Sequence, residues 1–141
     1  MEKLIAGVDS STQSVKIVVR KADSGELVAE SKAPHPDGTE IDPAEWWLAL
    51  QRVISDIGGL ERISAISIAA QQHGMVALNS RGEVIRPALL WNDTRSADAA
   101  LEINAEVLNI SERVGSSLVA SFTASKIRWM AVNERDNSKE V

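Results

Sequence analysis

Between Leu4 and Arg20 two apolar runs are separated only by Asp9-Ser10-Ser11-Thr12-Gln13. A connection this short turns the chain back on itself, because a parallel neighbour needs a crossover of about a dozen residues or more. Lys3 to Asp9 therefore reads as a buried strand and Ser14 to Lys21 as its antiparallel partner. Val15, Ile17 and Val19 alternate there against Lys16, Val18 and Arg20. Asp23-Ser24-Gly25-Glu26 is a second turn signal, and Glu26 to Lys32 a third strand. The chain thus opens on an antiparallel meander.

Ala33 to Ile41 reads as a loop, with His35 between two prolines and expected at the surface. A helix start follows, with Asp42 as N-cap, Pro43 at the first helical position and Glu45 three residues after the cap. Trp46, Trp47, Leu50, Val53, Ile54 and Ile57 keep helical spacing, which makes both tryptophans core residues, and Gly58-Gly59 ends the helix. Ile63 to Ala70 (ISAISIAA) has no charge and reads as a strand covered on both faces. Met75 to Leu78 and Glu83 to Leu90 flank Asn79-Ser80-Arg81-Gly82, a hairpin signal. Helical patterns then run from Ser96 to Val107 and from Thr123 to Glu134, before a polar tail.

A chain of 141 residues, 44% hydrophobic and carrying a net charge of −5, suits one globular domain or part of a larger one. It has no basic block for nucleic acid or an anionic membrane. The absence of cysteine removes disulfides, thiolate zinc sites and cysteine nucleophiles. Leu4 to Val8 is too short for a signal-peptide core, and no apolar run has bilayer-spanning length, so a cytoplasmic setting is expected.

Three polar constellations stand at the ends of these elements. Backbone N–H groups and hydroxyls in the Asp9 to Gln13 turn suit phosphate oxygens, with Mg²⁺ between phosphate and Asp9; an ordinary hairpin turn has the same composition. The turn lacks the Walker A pattern. Gln71-Gln72-His73-Gly74-Met75 follows the uncharged strand directly, where a binding crevice would draw its polar groups, although a lone histidine is more often structural. In Trp91-Asn92-Asp93-Thr94-Arg95, Asn92 or Asp93 suits the N-cap of the next helix with Trp91 as core; alternatively Trp91 is an apolar wall against a sugar.

Together, G-V-D-S-S-T-Q-S-V-K, D-P-A-E-W-W, Q-Q-H-G-M and A-L-L-W-N-D-T-R resemble the N-terminal region of FGGY-family carbohydrate kinases, closest to the xylulokinase branch. The resemblance runs over essentially the whole chain, although Ser11 stands where many members have glycine. It implies an α/β, ribonuclease-H-like (actin-like ATPase) domain, with residues 1–141 as the N-terminal part of the first of two kinase domains. It further implies ATP-dependent phosphorylation of a ketopentose, D-xylulose to D-xylulose 5-phosphate, by a cytoplasmic enzyme that is a homodimer in full-length form. Under that resemblance Asp9 organises Mg²⁺ and phosphate, while Ser11, Thr12, Gln13 and Lys16 attend the phosphate turn. Gln72, His73, Gly74, Trp91 and Asp93 form the sugar side. The family's general-base aspartate and adenosine site correspond to positions after residue 141, so the isolated segment is expected to be inactive. The alternatives are a non-catalytic sugar-binding or regulatory relative, a kinase of the same family for another polyol or ketose, and an actin-like assembly ATPase domain.

Overall fold

The computed structural model describes residues 3–141. In chain order its elements are β1 (Leu4–Ser10), β2 (Ser14–Lys21), β3 (Leu27–Pro34), β4 (Glu40–Ile41), α1 (Pro43–Asp56), β5 (Ile63–Ala70), β6 (Ala88–Leu89), α2 (Ala97–Glu106), α3 (Ile110–Val114), α4 (Thr123–Asn133) and α5 (Arg135–Glu140). They divide into two compact units. The first holds the chain up to Asp37 and Ala44–Gln71; the second holds Gly38–Pro43 and Gln72–Val141.

The first unit is a sheet in the order β3-β2-β1-β5. The expected meander is present: β1 pairs with β2, and β2 with β3, both antiparallel. β5 joins β1 in parallel, with α1 inside the crossover. The strand alternation buries Leu4, Ala6 and Val8 of β1 and Val15, Ile17 and Val19 of β2 against Ala49 and Val53 of α1. The helix begins at Pro43 and ends as its two glycines require. Gly58 and Gly59 take φ of 84° and 87°, and their N–H groups reach back to Ser55 O (3.0 Å) and Ile54 O (2.9 Å), the pairing of a Schellman cap.

Two expectations of burial fail here. β5 is not covered on both faces: it is the edge of the sheet, and Ile66 and Ile68 are 44% and 61% exposed. An uncharged run reports that its side chains suit an interior, but α1 packs against the face built by β1, β2 and β3. Trp47, expected in the core, is 60% exposed, because the small side chain of Ala49 and that of Val53 define the buried stripe of α1.

In the second unit β4 and β6 form a two-stranded sheet, and Met75, Ala77, Leu89 and Met130 make the core. The expected hairpin is reduced to isolated antiparallel bridges, Met75 with Leu89 and Leu78 with Val84, around a turn in which Gly82 N–H donates to Asn79 O. α2 and α4 lie within the expected helical stretches, and Arg128 of α4 fastens them with a two-pronged pair to Glu106 (2.7 Å each) and a bond to Glu102 (2.8 Å). The loop expected over Ala33 to Ile41 is shorter, since β3 runs to Pro34 and β4 begins at Glu40. The polar tail after α4 is helical as α5, and α3 carries too short an apolar pattern to have been read.

Candidate functional site

The expected phosphate-side residues lie in the first unit. Asp9 is exposed near the end of β1, and Ser11 Oγ donates to Asp9 Oδ1 at 2.9 Å. Ser11 N–H donates to Ser14 O (2.9 Å), which closes the hairpin with Thr12 and Gln13 at its tip. Thr12 Oγ1 lies 3.4 Å from Gln71 Oε1, and Gln71 N–H donates to Ser10 O (3.0 Å), so the end of β5 braces the turn from the side. Lys16 is the cross-strand partner of Asp9 and therefore shares its face. Its ammonium pairs with Glu30 Oε2 at 3.0 Å, both side chains being about half exposed.

His35 underlies this turn, and its surface assignment is corrected. The residue is buried at 6% exposure, its N–H donates to Gln13 O (2.8 Å), and its Nδ1 lies 3.0 Å from Ser11 O. A carbonyl oxygen only accepts, so Nδ1 carries the proton. The two contacts hold both flanks of the Thr12 tip from β3. Flanking prolines made this stretch read as an exposed loop, whereas β3 extends through Pro34 and delivers His35 beneath the turn.

No group of three His, Asp or Glu side chains among the described residues could hold a metal alone. Mg²⁺ carried by a nucleotide needs less, because it keeps waters and phosphate oxygens and takes one or two carboxylates from protein. The exposed carboxylate of Asp9 beside a hydroxyl turn fits that requirement.

The expected sugar-side residues Gln72, His73, Gly74, Trp91 and Asp93 lie in the second unit. His73 is exposed and adopts a left-handed conformation, φ 62°, uncommon for a residue with a Cβ. Its ring stacks on Phe122, centroids 4.6 Å apart and planes 27° from parallel. Met75 and Leu89 exchange backbone hydrogen bonds (2.9 and 3.2 Å) as an antiparallel pair. Trp91 is 49% exposed and so is not a core residue.

Asp93 is 4% exposed and tied to Arg95. Oδ1 accepts from Arg95 N–H (3.0 Å) and Nε (2.9 Å), Oδ2 from Nη2 (2.9 Å), and the Thr39 hydroxyl adds a further bond. A carboxylate offers about four lone-pair positions, so this one is fully engaged within the protein. Burial pushes its pKa up, but the hydrogen bonds from Arg95 and Thr39, with the Arg95 charge, outweigh that and hold it below the usual carboxylate range. Asp93 therefore acts on the Trp91 loop by fixing its backbone.

Around this loop stands a charged cluster that the sequence did not reveal. Glu40 of β4 accepts from Arg86 and from Arg95 Nη1 (3.1 Å), and both guanidinium groups lie over the ring of Trp129, at 5.8 and 5.2 Å from its centroid. Glu134 Oε1 lies 3.2 Å from the buried Arg86 Nη1, an ion pair without hydrogen-bond geometry. Lys126 is fully buried, and its Nζ donates to His73 O and Ser121 O, each at 2.6 Å. The only signal for it was a lysine inside the apolar pattern of α4.

The acidic hydroxyl turn thus stands beside the parallel strand of the first unit, and the second unit carries the exposed His73 and Trp91. The family model for the FGGY family of carbohydrate kinases, N-terminal domain, matches residues 4–141, and the chain belongs to this family. Its fold is accordingly the actin-like ATPase fold of these kinases. Among its relatives, a xylulose kinase of an Arthrobacter species is 63% identical over 94 residues, 67% of this chain and 98% of that relative. A xylulose kinase of Streptomyces coelicolor is 44% identical over 146 residues, covering 98% of this chain and 30% of that protein. The crystal structure of xylulose kinase from Bifidobacterium adolescentis superposes with a TM-score of 0.91 at 44% identity, over 99% of this chain and 31% of that one. The chain thus spans about 30% of the length of such longer relatives. Among the described residues no helix is long and apolar enough to cross a membrane.

Proposed function

We propose that residues 1–141 are the N-terminal part of the first domain of an ATP-dependent ketopentose kinase that converts D-xylulose to D-xylulose 5-phosphate. The observation that carries this reading is the exposed, left-handed His73, its ring seated on Phe122, in a chain similar throughout to proteins named xylulose kinase. In this reading His73 and Gln72 exchange hydrogen bonds with sugar hydroxyls, Gly74 lets the substrate approach the backbone, and Trp91 offers an apolar ring to the C–H face. Asp93 takes part by holding the Trp91 loop through Arg95. On the phosphate side, Ser11, Thr12 and Gln13 present donors to phosphate oxygens, and Lys16 supplies positive charge on the face that carries Asp9.

The reaction forms a bond between a sugar hydroxyl oxygen and the γ-phosphorus of ATP as the bond to the β,γ-bridging oxygen breaks. ADP leaves, and the hydroxyl proton passes to a general base, which the family resemblance assigns to an aspartate outside these residues. Mg²⁺ bound to ATP neutralises charge on the phosphates when present. Asp9 would orient that ion, and the hydroxyl turn would hold the phosphates in line, since positioning and electrostatics carry most of phosphoryl-transfer catalysis. The enzyme is read as cytoplasmic, and as a homodimer in full-length form.

Coupled ADP release by the full-length protein, measured across D-xylulose, D-ribulose, L-ribulose, D-fructose and glycerol, tests the substrate. D-Xylulose should have the highest kcat/KM, by at least about tenfold, because unpaired polar groups at the site penalise a misplaced hydroxyl. A preference for glycerol, or no ADP release with any sugar, contradicts the reading.

A further inference from the structure

The buried lysine of α4 has no part in the chemistry above, yet it touches the residue on which sugar recognition rests. Burying an ammonium is costly unless strong partners replace water, and a residue such as methionine would fill the same space without that cost. Burial pushes the Lys126 pKa down, with the Asp93 charge opposing it. The partners gained are two carbonyls, His73 O and Ser121 O, each 2.6 Å from Nζ. Hydrogen bonds from a charged donor are about twice as strong as neutral ones.

These two carbonyls are informative. His73 holds a backbone conformation that residues with a Cβ seldom adopt, and such a conformation persists only where its surroundings over-determine it. Ser121 stands next to Phe122, the residue that stacks on the His73 imidazole and immediately precedes α4. One helix start therefore holds His73 twice, its carbonyl through Lys126 and its ring through Phe122. All four residues lie in the second unit.

We propose that Lys126 is a positioning residue for substrate recognition: its buried ammonium ties the carbonyl of His73 to that of Ser121, so that the imidazole, seated on Phe122, is presented to the sugar in one orientation. The proposal rests on the reading that His73 contacts the sugar. Lys126 itself contacts no substrate, and its side chain is wholly enclosed.

The test uses the full-length protein with Lys126→Met, His73→Ala and the double variant, each assayed for KM of D-xylulose and of ATP. Lys126→Met should raise the sugar KM by about tenfold or more, as expected for a misplaced binding group, with the ATP KM within about twofold. In the His73→Ala background it should add less than about twofold, because both changes remove one interaction. Lys126→Gln keeps an N–H donor and should give a smaller rise; it carries the test if methionine leaves no folded protein. A lysine serving only stability would lower Tm and leave the sugar KM unchanged, or raise both KM values together, and either result overturns the proposal. So does full multiplicativity of Lys126→Met with His73→Ala. If His73→Ala alone leaves the sugar KM unchanged, the sugar-contact reading itself fails, a result distinct from the others.

Discussion

At Asp93 the carboxylate is nearly sealed from solvent and engaged by Arg95 and Thr39, an arrangement that fixes how its charge enters stability. Its pKa in the folded chain is lowered, so its contribution is complete above the unfolded value of about 3.9 and is lost as pH falls through the lowered one. Asp93→Asn should therefore cost about 1–3 kcal/mol of unfolding free energy at neutral pH. The gap to wild type should narrow as pH falls below about 4 in urea titrations, as protonation removes the same charge from the native protein. A gap independent of pH would mean that the pair contributes packing alone. His35 calls for a different measurement. Its imidazole lies under Ser11, so His35→Phe should preserve much of the packing while losing the bond to Ser11 O, at about 1 kcal/mol of stability. In the full-length protein the same change should raise the KM for ATP more than that for the sugar; equal effects would detach His35 from the phosphate turn. The sequence made Asp9 and the hydroxyls of its turn visible because turn-forming residues are local signals. It hid His35 because the partner that buries the ring lies across the sheet, and no periodicity encodes a contact with Ser11.

The best-read elements were those whose start and stop are written within a few residues. Pro43 and Gly58 bracket α1, and the alternation of Val15, Ile17 and Val19 fixes which face of β2 is buried. Gly58 allows a direct check: its φ is 84°, and an added Cβ would meet nothing within 4 Å. The cost of a side chain there is conformational, so Gly58→Ala should lose about 1 kcal/mol and Gly58→Asn less, since asparagine tolerates the left-handed region. Equal stability of Gly58→Ala and wild type in chemical denaturation would contradict the cap. Elements whose form depends on distant partners were read less well. The segments around Asn79 have strand-like composition, but Met75 and Leu89 pair only as an isolated bridge, so little regular strand forms. Trp47 follows the helical period of α1 yet lies outside the stripe that the sheet covers. Lys126 is the opposite case: its charge marks a surface position by composition, and two carbonyls supplied by the Q-Q-H-G turn and the loop before α4 bury it.

At the scale of the whole chain, both units leave apolar residues exposed, Ile66 and Ile68 in the first and Leu101 and Leu108 in the second. In the first unit β5 presents an unpaired edge without a charged side chain or proline between Ile63 and Ala70, and edges of that kind recruit other strands. The 141-residue chain should therefore show a weight-average mass in sedimentation equilibrium that rises with concentration, and a constant monomer mass would contradict the exposed edge. The order of strands and helices was legible because it is a local pattern summed along the chain, whereas the fold class came from the family resemblance of the motifs. The turn after β1 and the Q-Q-H-G segment after β5 were legible because each directly follows a strand end. The contacts that shape each group were not, because they join segments far apart in sequence. The kinase reading assigns the two groups different parts of one reaction, and steady-state kinetics of the full-length Asp9→Asn and His73→Ala variants separates them. Asp9→Asn should lower kcat by an amount equivalent to a few kcal/mol, about 2–4, with the sugar KM nearly unchanged. His73→Ala should raise the KM for D-xylulose far more than that for ATP. If Asp9→Asn weakens sugar binding at unchanged turnover, or His73→Ala acts equally on both substrates, the division of roles is wrong.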